Sequence, residues 1–158
     1  MIRNNPCVRK GHFRTQIIIG YGSTLRGDDA AGPRVATAAA RWDLACVYTI
    51  VAHQLTPELA EPLAQARLAI FVDARAGAGG VRLRPLSPAT ALSSLGMHIG
   101  DPAALLALAL ALYGRAPRAW LITLPAHSFD LGAALSPHTR RSLAVARRRI
   151  RRLLKYPA

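Results

Sequence analysis

Short apolar runs alternate with helical segments along this chain, and this alternation limits the fold more than any other feature of the sequence. The first run, Gln16 to Tyr21, contains three consecutive isoleucines and is closed by glycines, which predicts a buried strand. Further strands are predicted at 44–51, 67–72 and 119–124, with a half-exposed edge strand at 81–86. Because helices separate most of these runs, the pattern predicts a three-layer α/β fold, in which a mainly parallel, twisted sheet of about five strands lies between helices.

Helix start and stop signals lie between and after these strands. The predicted helices are one from Asp28 to about Arg41, a short one opened by Thr56, an apolar one bounded by Asp101 and Gly114, and a basic amphipathic one from Ser136. The apolar helix has no polar face, so we expect it to be covered on most sides.

Length and charge narrow the organisation of the chain. Its 158 residues suit one domain, which we assign to 16–158, preceded by a flexible basic arm at 1–15. A net charge of +13 invites a nucleic-acid interpretation. However, all but two of the 21 basic residues are arginines in an alanine-rich chain, and many lie near the two ends. We therefore favour a solvated basic face over a nucleic-acid groove.

The cysteines and the apolar segments indicate the cellular compartment. Neither Cys7 nor Cys46 belongs to a CxxC pair, so we expect neither a zinc knuckle nor a disulfide framework. The first fifteen residues contain no apolar segment typical of a signal peptide. The longest apolar run is shorter than the ~20 residues that a membrane span needs. We expect a cytoplasmic protein.

Acidic side chains are scarce in this sequence, yet several lie next to the predicted strands. Asp28 and Asp29 follow the first strand, Asp73 follows the third, and His98 precedes the apolar helix. Ligands in such sheets bind beyond the carboxyl ends of the strands, where all four side chains can meet. Two carboxylates and an imidazole there would suit a divalent transition metal or acid/base chemistry.

Each of these residues also has a purely structural interpretation. Asp28 is a natural N-cap of the following helix, in which case its replacement by Ala would cost about 1 kcal/mol. Asp29 would then complement the helix dipole, and Asp73 would form a turn. His98 could be an ordinary loop histidine, as could His53, His127 and His138.

The glycine-rich turn after the first strand does not match known phosphate-binding loops. Leu25 occupies the position of the third glycine of a dinucleotide fingerprint, and the lysine of a P-loop is absent. The sequence also contains no HExxH pair, and no Ser or Cys lies in a context typical of a nucleophile. Gly20 and Gly22 therefore indicate a sharp bend that presents carboxylates.

The segment IIIGYGSTLRGDDAAGPRVA resembles the opening of the hydrogenase maturation endopeptidases. The matching positions are Gly20, Gly22, Leu25, Asp28, Asp29 and Gly32. LAIFVDARAG resembles the strand of that family that ends in Asp-Ala, and GMHIGDPAALLALAL resembles its histidine loop and apolar helix. Ser23 replaces the usual asparagine of the turn, a change that removes no candidate ligand.

The resemblance implies an endopeptidase that removes the C-terminal extension of a nickel-iron hydrogenase large-subunit precursor after nickel insertion. It places the metal contacts on Asp29, Asp73 and His98 and leaves the catalytic residues, whether of an aspartyl-type or a metal-dependent protease, unassigned. The nickel is expected to be presented by the substrate, and zinc or cadmium could occupy the same ligands in a crystal. The expected partner is the precursor, with neither a membrane nor nucleic acid.

Two other classes of protein stay open at this point. One is a nucleic-acid-handling hydrolase of similar fold, such as a peptidyl-tRNA hydrolase, although its Asn-Pro-Gly after the first strand is missing. The other is a catalytically silent metal-binding partner of the large subunit.

Overall fold

The computed structural model describes residues 15–90 and 100–155, together with two short strands in the N-terminal region. The strands are β1 (Val8–Arg9), β2 (His12–Phe13), β3 (Gln16–Tyr21), β4 (Val47–Ala52), β5 (Leu68–Ala76), β6 (Arg82–Leu86) and β7 (Arg118–Ala126). The α-helices are α1 (Ala31–Ala40), α2 (Ala60–Ala64), α3 (Pro102–Tyr113) and α4 (Pro137–Lys155). Short 3₁₀ turns, Gly27–Ala30 and Pro57–Leu59, precede α1 and α2.

Five strands form one sheet in the order β4-β3-β5-β7-β6. All neighbours in it are parallel except β6, which pairs antiparallel with β7. The predicted fold class and edge strand are thus confirmed. The chain passes from β3 to β4 on one side and then returns to β5 on the other. The carboxyl ends of β3 and β5 therefore form the topological switch point, where such sheets open a crevice. Within the predicted arm, β1 and β2 form a separate antiparallel ladder.

The sheet divides the apolar core into two layers. Ile17 and Ile19 of β3 point towards α2 and α3, whereas Ile18 points towards α1 and α4. All three are almost completely buried. Central strands covered on both faces are continuous apolar runs rather than alternating ones, which is why this strand could be predicted with correct limits from three isoleucines.

Helix α1 lies unusually close to the sheet because two glycines face each other. A Cβ on Gly20 would lie 2.1 Å from the carbonyl oxygen of Gly32, and one on Gly32 would lie 2.4 Å from that of Val72. Gly20 belongs to β3 rather than to the turn, so the bend predicted from it is wrong. Gly22 does make the bend, with φ of 133°. Here a Cβ would also lie 2.2 Å from the backbone oxygen of Asp29.

Several element limits differ from the sequence prediction. Strand β5 continues to Ala76, so Asp73 lies inside it instead of after it. The reason is the length of β7, whose backbone pairs with β5 up to Ala126. Strand β4 begins at Val47 rather than residue 44, and α1 begins after the 3₁₀ turn rather than at Asp28.

Helix α3 has the predicted limits but not the predicted surroundings. The side chain of Asp101 accepts a hydrogen bond from the Ala103 N–H at 3.0 Å, and Gly114 closes the helix in the left-handed conformation. The expectation that α3 is covered on most sides is wrong at its C-terminal end, where Leu112 is 63% exposed. Its neighbour α2 has only five residues against twelve in α3, which leaves part of α3 without a packing partner. Within the described ranges, no helix is long and apolar enough to cross a bilayer.

Cys46 is disulfide-bonded, whereas the sequence analysis expected no disulfide framework. It lies just before β4 in a left-handed conformation, with φ of 64°, and its carbonyl accepts a hydrogen bond from the Gln16 N–H. Cysteine spacing does not report which thiols the tertiary fold brings together.

The contact between α1 and the sheet gives a test of the fold. We expect Gly32→Ala to lower the free energy of unfolding by about 3 kcal/mol, because the new methyl group would overlap backbone atoms that cannot move independently. Gly80→Ala is the control, since a Cβ there meets nothing within 4 Å, and we expect a change below about 0.5 kcal/mol. Urea unfolding of both variants measures the difference. Equal stabilities would contradict the close packing.

Candidate functional site

Asp29 lies where the turn after β3 meets the crevice between β3 and β5. Its carboxylate accepts a hydrogen bond from the Ser23 N–H at 2.7 Å, and its own N–H donates to the Arg26 carbonyl at 2.9 Å. The side chain therefore lies over Gly22 and closes the turn. The N–H groups of Ser23 and Asp29, which a phosphate-binding loop would offer to its ligand, are used within the turn itself.

Asp73 reaches the same crevice from β5. Burial is the main cause that raises the pKa of its carboxyl group to about 6, against hydrogen bonds from the Tyr21 hydroxyl and the Ala74 N–H that lower it. The negative charge of Asp29 raises it further. The two carboxylates are thus close enough to interact electrostatically, although Asp29 lies in the 3₁₀ turn after β3 and Asp73 lies in β5.

Tyr21 is a member of this group that the sequence analysis missed. It is buried, and burial followed by the negative charge of Asp73 raises the pKa of its hydroxyl well above the usual range. Asp101 raises this pKa as well, whereas Arg84 lowers it. The sequence does contain a signal for this position. Side chains two residues apart on a strand face the same side, so Tyr21 faces the α2/α3 layer together with Ile17 and Ile19.

The third predicted metal contact, His98, lies outside the described residues. Among the residues that the structure does describe, no three His, Cys, Asp or Glu side chains form a cluster able to hold a metal ion. The metal roles of Asp29, Asp73 and His98 therefore stay predictions. His127, in the loop after β7, packs edge to face against His138 with the ring centres 5.2 Å apart, and His138 Nε2 lies 2.9 Å from the Gly79 carbonyl oxygen.

Asp28 is structural, as one interpretation held, but the predicted helix cap is wrong. Its side chain is completely buried and makes no capping bond to the helix that follows. Instead, one carboxylate oxygen accepts from the His127 and Ser128 N–H groups at 2.8 and 3.2 Å, and the other accepts from the Ser136 N–H at 2.7 Å. The Asp28 N–H also donates to the Ser128 carbonyl. A residue of the first turn thus holds the loop after β7 and the start of α4.

These bonds decide the ionisation of Asp28. Burial opposes the charged form, but the three backbone N–H donors outweigh it and lower the pKa to about 2. Ser136 in turn receives the N–H of Thr139 on its hydroxyl at 3.3 Å, which caps α4. The negative charge of Asp28 therefore lies at the N-terminus of a long helix, where the helix dipole favours it.

The arrangement offers two kinds of chemistry. A carboxyl group with a pKa of about 6 can exchange protons near neutral pH, which is what a general acid or base requires. Two neighbouring carboxylates are also a suitable oxygen donor set for a divalent transition metal, and a bound cation would relieve their mutual repulsion.

Known proteins share this architecture, but only at the level of structure. No protein-family profile matches the chain, and no curated sequence matches it. The [NiFe] hydrogenase maturation protease HycI from Thermococcus kodakarensis KOD1 superposes with a TM-score of 0.68 at 22% identity, over 90% of this chain and 93% of that one. The chain has the fold of the hydrogenase maturation proteases.

Two further structures support this assignment. The maturating endopeptidase HybD from E. coli gives a TM-score of 0.69 at 18% identity, over 89% of this chain and 92% of that one. The hydrogenase 2 maturation peptidase from Thaumarchaeota archaeon SCGC_AB-539-E09 gives 0.65 at 21% identity, over 89% and 97%. The resemblance found in the sequence motifs is therefore confirmed for the maturation-protease fold.

The role of Asp28 predicts a stability loss larger than a helix cap would cause. Asp28→Ala would leave the three N–H groups that surround this completely buried carboxylate without an acceptor, so we expect a loss of about 3 kcal/mol or more in the free energy of unfolding, rather than about 1. Asp130→Ala is the control, because Asp130 is exposed and accepts only a 3.4 Å bond from the Ser128 hydroxyl. A loss near 1 kcal/mol for Asp28→Ala would contradict the anchoring role.

The same anchor predicts an acid-sensitive fold. The folded pKa of Asp28, about 2, lies below the 3.8 of an unfolded aspartate. The carboxylate therefore stabilises the fold fully above about pH 4, and this contribution is lost as the pH falls through about 2. Urea unfolding of the wild type and of Asp28→Asn between these values isolates the effect. The difference between the two should shrink towards low pH, and a constant difference would show that the charge of Asp28 has no role.

Proposed function

We propose that this protein is an endopeptidase that removes the C-terminal extension of a nickel-iron hydrogenase large-subunit precursor after nickel insertion. The observation that carries the proposal is the electrostatic interaction between Asp29 and Asp73 at the carboxyl ends of β3 and β5 in a maturation-protease fold. The structural neighbours are named as maturation proteases, and none of the three comparisons supports a nucleic-acid hydrolase or a silent partner.

In this proposal the nickel belongs to the substrate. Asp29, Asp73 and His98 would contact it when the precursor enters the crevice, and the metal would polarise the carbonyl of the bond to be cut. Carboxylates fit this task because their charges repel each other in the free enzyme and attract a divalent ion. The Tyr21 hydroxyl would orient one side of Asp73 through its hydrogen bond.

Selectivity follows from the same electrostatics. A precursor without nickel brings no cation to the two carboxylates, so binding would strip them of water without a compensating charge. A protein with these groups would therefore ignore unrelated polypeptides. It would also reject precursors that have not yet received the metal, which prevents cleavage before the metal centre is complete.

Cleavage of defined precursors tests this proposal. We expect the nickel-loaded precursor to be cut near its C-terminus, the nickel-free precursor and casein to stay intact, and mass spectrometry to show the two products. Asp29→Ala and His98→Ala should abolish cleavage while retaining the wild-type circular dichroism spectrum, whereas Asp130→Ala should cleave normally. Efficient cutting of the nickel-free precursor would contradict recognition through the metal and would favour direct acid/base catalysis at Asp73.

A further inference from the structure

Helix α4 exposes a strongly basic surface that plays no part in the site described above. Its sequence contains no acidic residue. At about 100° per residue the exposed cations fall within about 140° of the helix circumference and extend over about 22 Å. This basic face consists of Arg140, Arg141, Arg147, Arg148, Arg151, Arg152 and Lys155.

In the part of the chain that the structure describes, no acidic side chain neutralises these cations. All eight Asp and Glu residues of the chain lie in the described ranges. In those ranges, no carboxylate side chain forms an ion pair with the basic face. Like charges four residues apart, such as Arg148 and Arg152, repel each other on a helix. An acidic partner would remove this repulsion, which makes the face favourable for association with a negative surface.

A groove beside the helix gives the basic face a concave surface as well as a positive charge. It has a volume of about 400 Å³ and is lined by Trp42, Ala144, Val145 and four arginines of α4. The guanidinium carbon of Arg151 lies 4.5 Å from the centre of the Trp42 ring, and this stacking holds the cation in place. The groove shares Trp42 and Arg151 with a second pocket, which Arg41 and Lys155 also line. Neither is lined by a carboxylate.

The packing of α4 restricts the kind of partner. Ala146, Ile150, Leu153 and Leu154 are buried in the core, so the apolar side of this amphipathic helix cannot enter a lipid surface. One face of Trp42 is already covered by Arg151, which leaves a poor platform for stacking nucleic-acid bases. The N-terminus of α4 is attached to the Asp28 anchor through Ser136. The basic face therefore begins within about one helical turn of Asp28, the residue that precedes Asp29 in the chain.

We propose that the basic face of α4 docks an acidic patch on the folded body of the precursor, while the C-terminal segment of the precursor occupies the crevice. This inference rests on the proposed function. A large folded substrate would also contact the protein surface around the cleavage site, and α4 is the long helix that extends away from the Asp28 anchor. Charge complementarity would speed the encounter and hold the precursor in register.

The test compares two variants with the same loss of charge. In the first, Arg141, Arg148 and Arg152 are replaced by Gln. In the control, the exposed residues Arg67, Arg82 and Arg118, none of which belongs to α4, are replaced by Gln. We expect KM for the nickel-loaded precursor to rise roughly tenfold in the first variant with kcat unchanged, and to change less than about twofold in the control. Raising NaCl from about 50 to about 300 mM should increase KM of the wild type and leave that of the first variant nearly constant.

Charge reversal and direct binding distinguish precursor docking from a packing role of the arginines and from nucleic-acid binding. Arg148→Glu should raise KM more than Arg148→Gln, whereas a packing role would make them equal. Equal KM values for the two triple variants would overturn the proposal. Tight binding of a nucleic-acid duplex of about 20 base pairs would also overturn it, if the first triple variant lost this binding while its KM for the precursor stayed normal. If the wild type fails to cut, the proposed function fails, and binding of the loaded precursor to immobilised wild-type and variant protein still tests the docking surface.

Discussion

The arrangement of the candidate site depends on the hydrogen bonds that the carboxylate of Asp28 accepts. This carboxylate is completely buried, yet ionised, because three backbone N–H groups from a distant part of the chain bind it. Through these bonds the turn after β3, the loop after β7 and the first turn of α4 become one unit. A neutral or larger side chain at this position would leave at least one of these N–H groups without an acceptor.

This anchor explains why two adjacent aspartates have different tasks. In a 3₁₀ turn, successive side chains point about 120° apart. When Asp28 is directed into the protein, Asp29 must point elsewhere, and here it lies over Gly22 and bonds to the Ser23 N–H. The close approach of α1 to β3 at Gly32 brings the whole turn over the switch point. The glycine-rich turn thus delivers a carboxylate to the place where related α/β folds deliver backbone N–H groups to a phosphate.

The parts of the fold that could be predicted are those with a local cause. Three isoleucines and a glycine define β3, and Asp101 and Gly114 bound α3 through side-chain and backbone effects that act within a few residues. The extension of β5 past Asp73 could not be predicted in the same way, because it comes from pairing with β7, fifty residues later in the chain. The exposed end of α3 has a similar origin, since the length of α2 determines how much of it is covered.

Hydrophobic periodicity, caps and the DD pair after an apolar strand were enough to determine the fold class, the order of the elements and the candidate carboxylates. The tertiary structure alone decided that Asp28 binds residues about 100 positions away instead of capping its own helix. It also decided that Tyr21 joins Asp73 and that Asp29 acts on the same carboxyl group. The physical reason is the distance along the chain over which each effect acts. Propensities and caps depend on neighbours within one or two turns, whereas burial, desolvation and hydrogen bonds between distant segments exist only after the chain has packed.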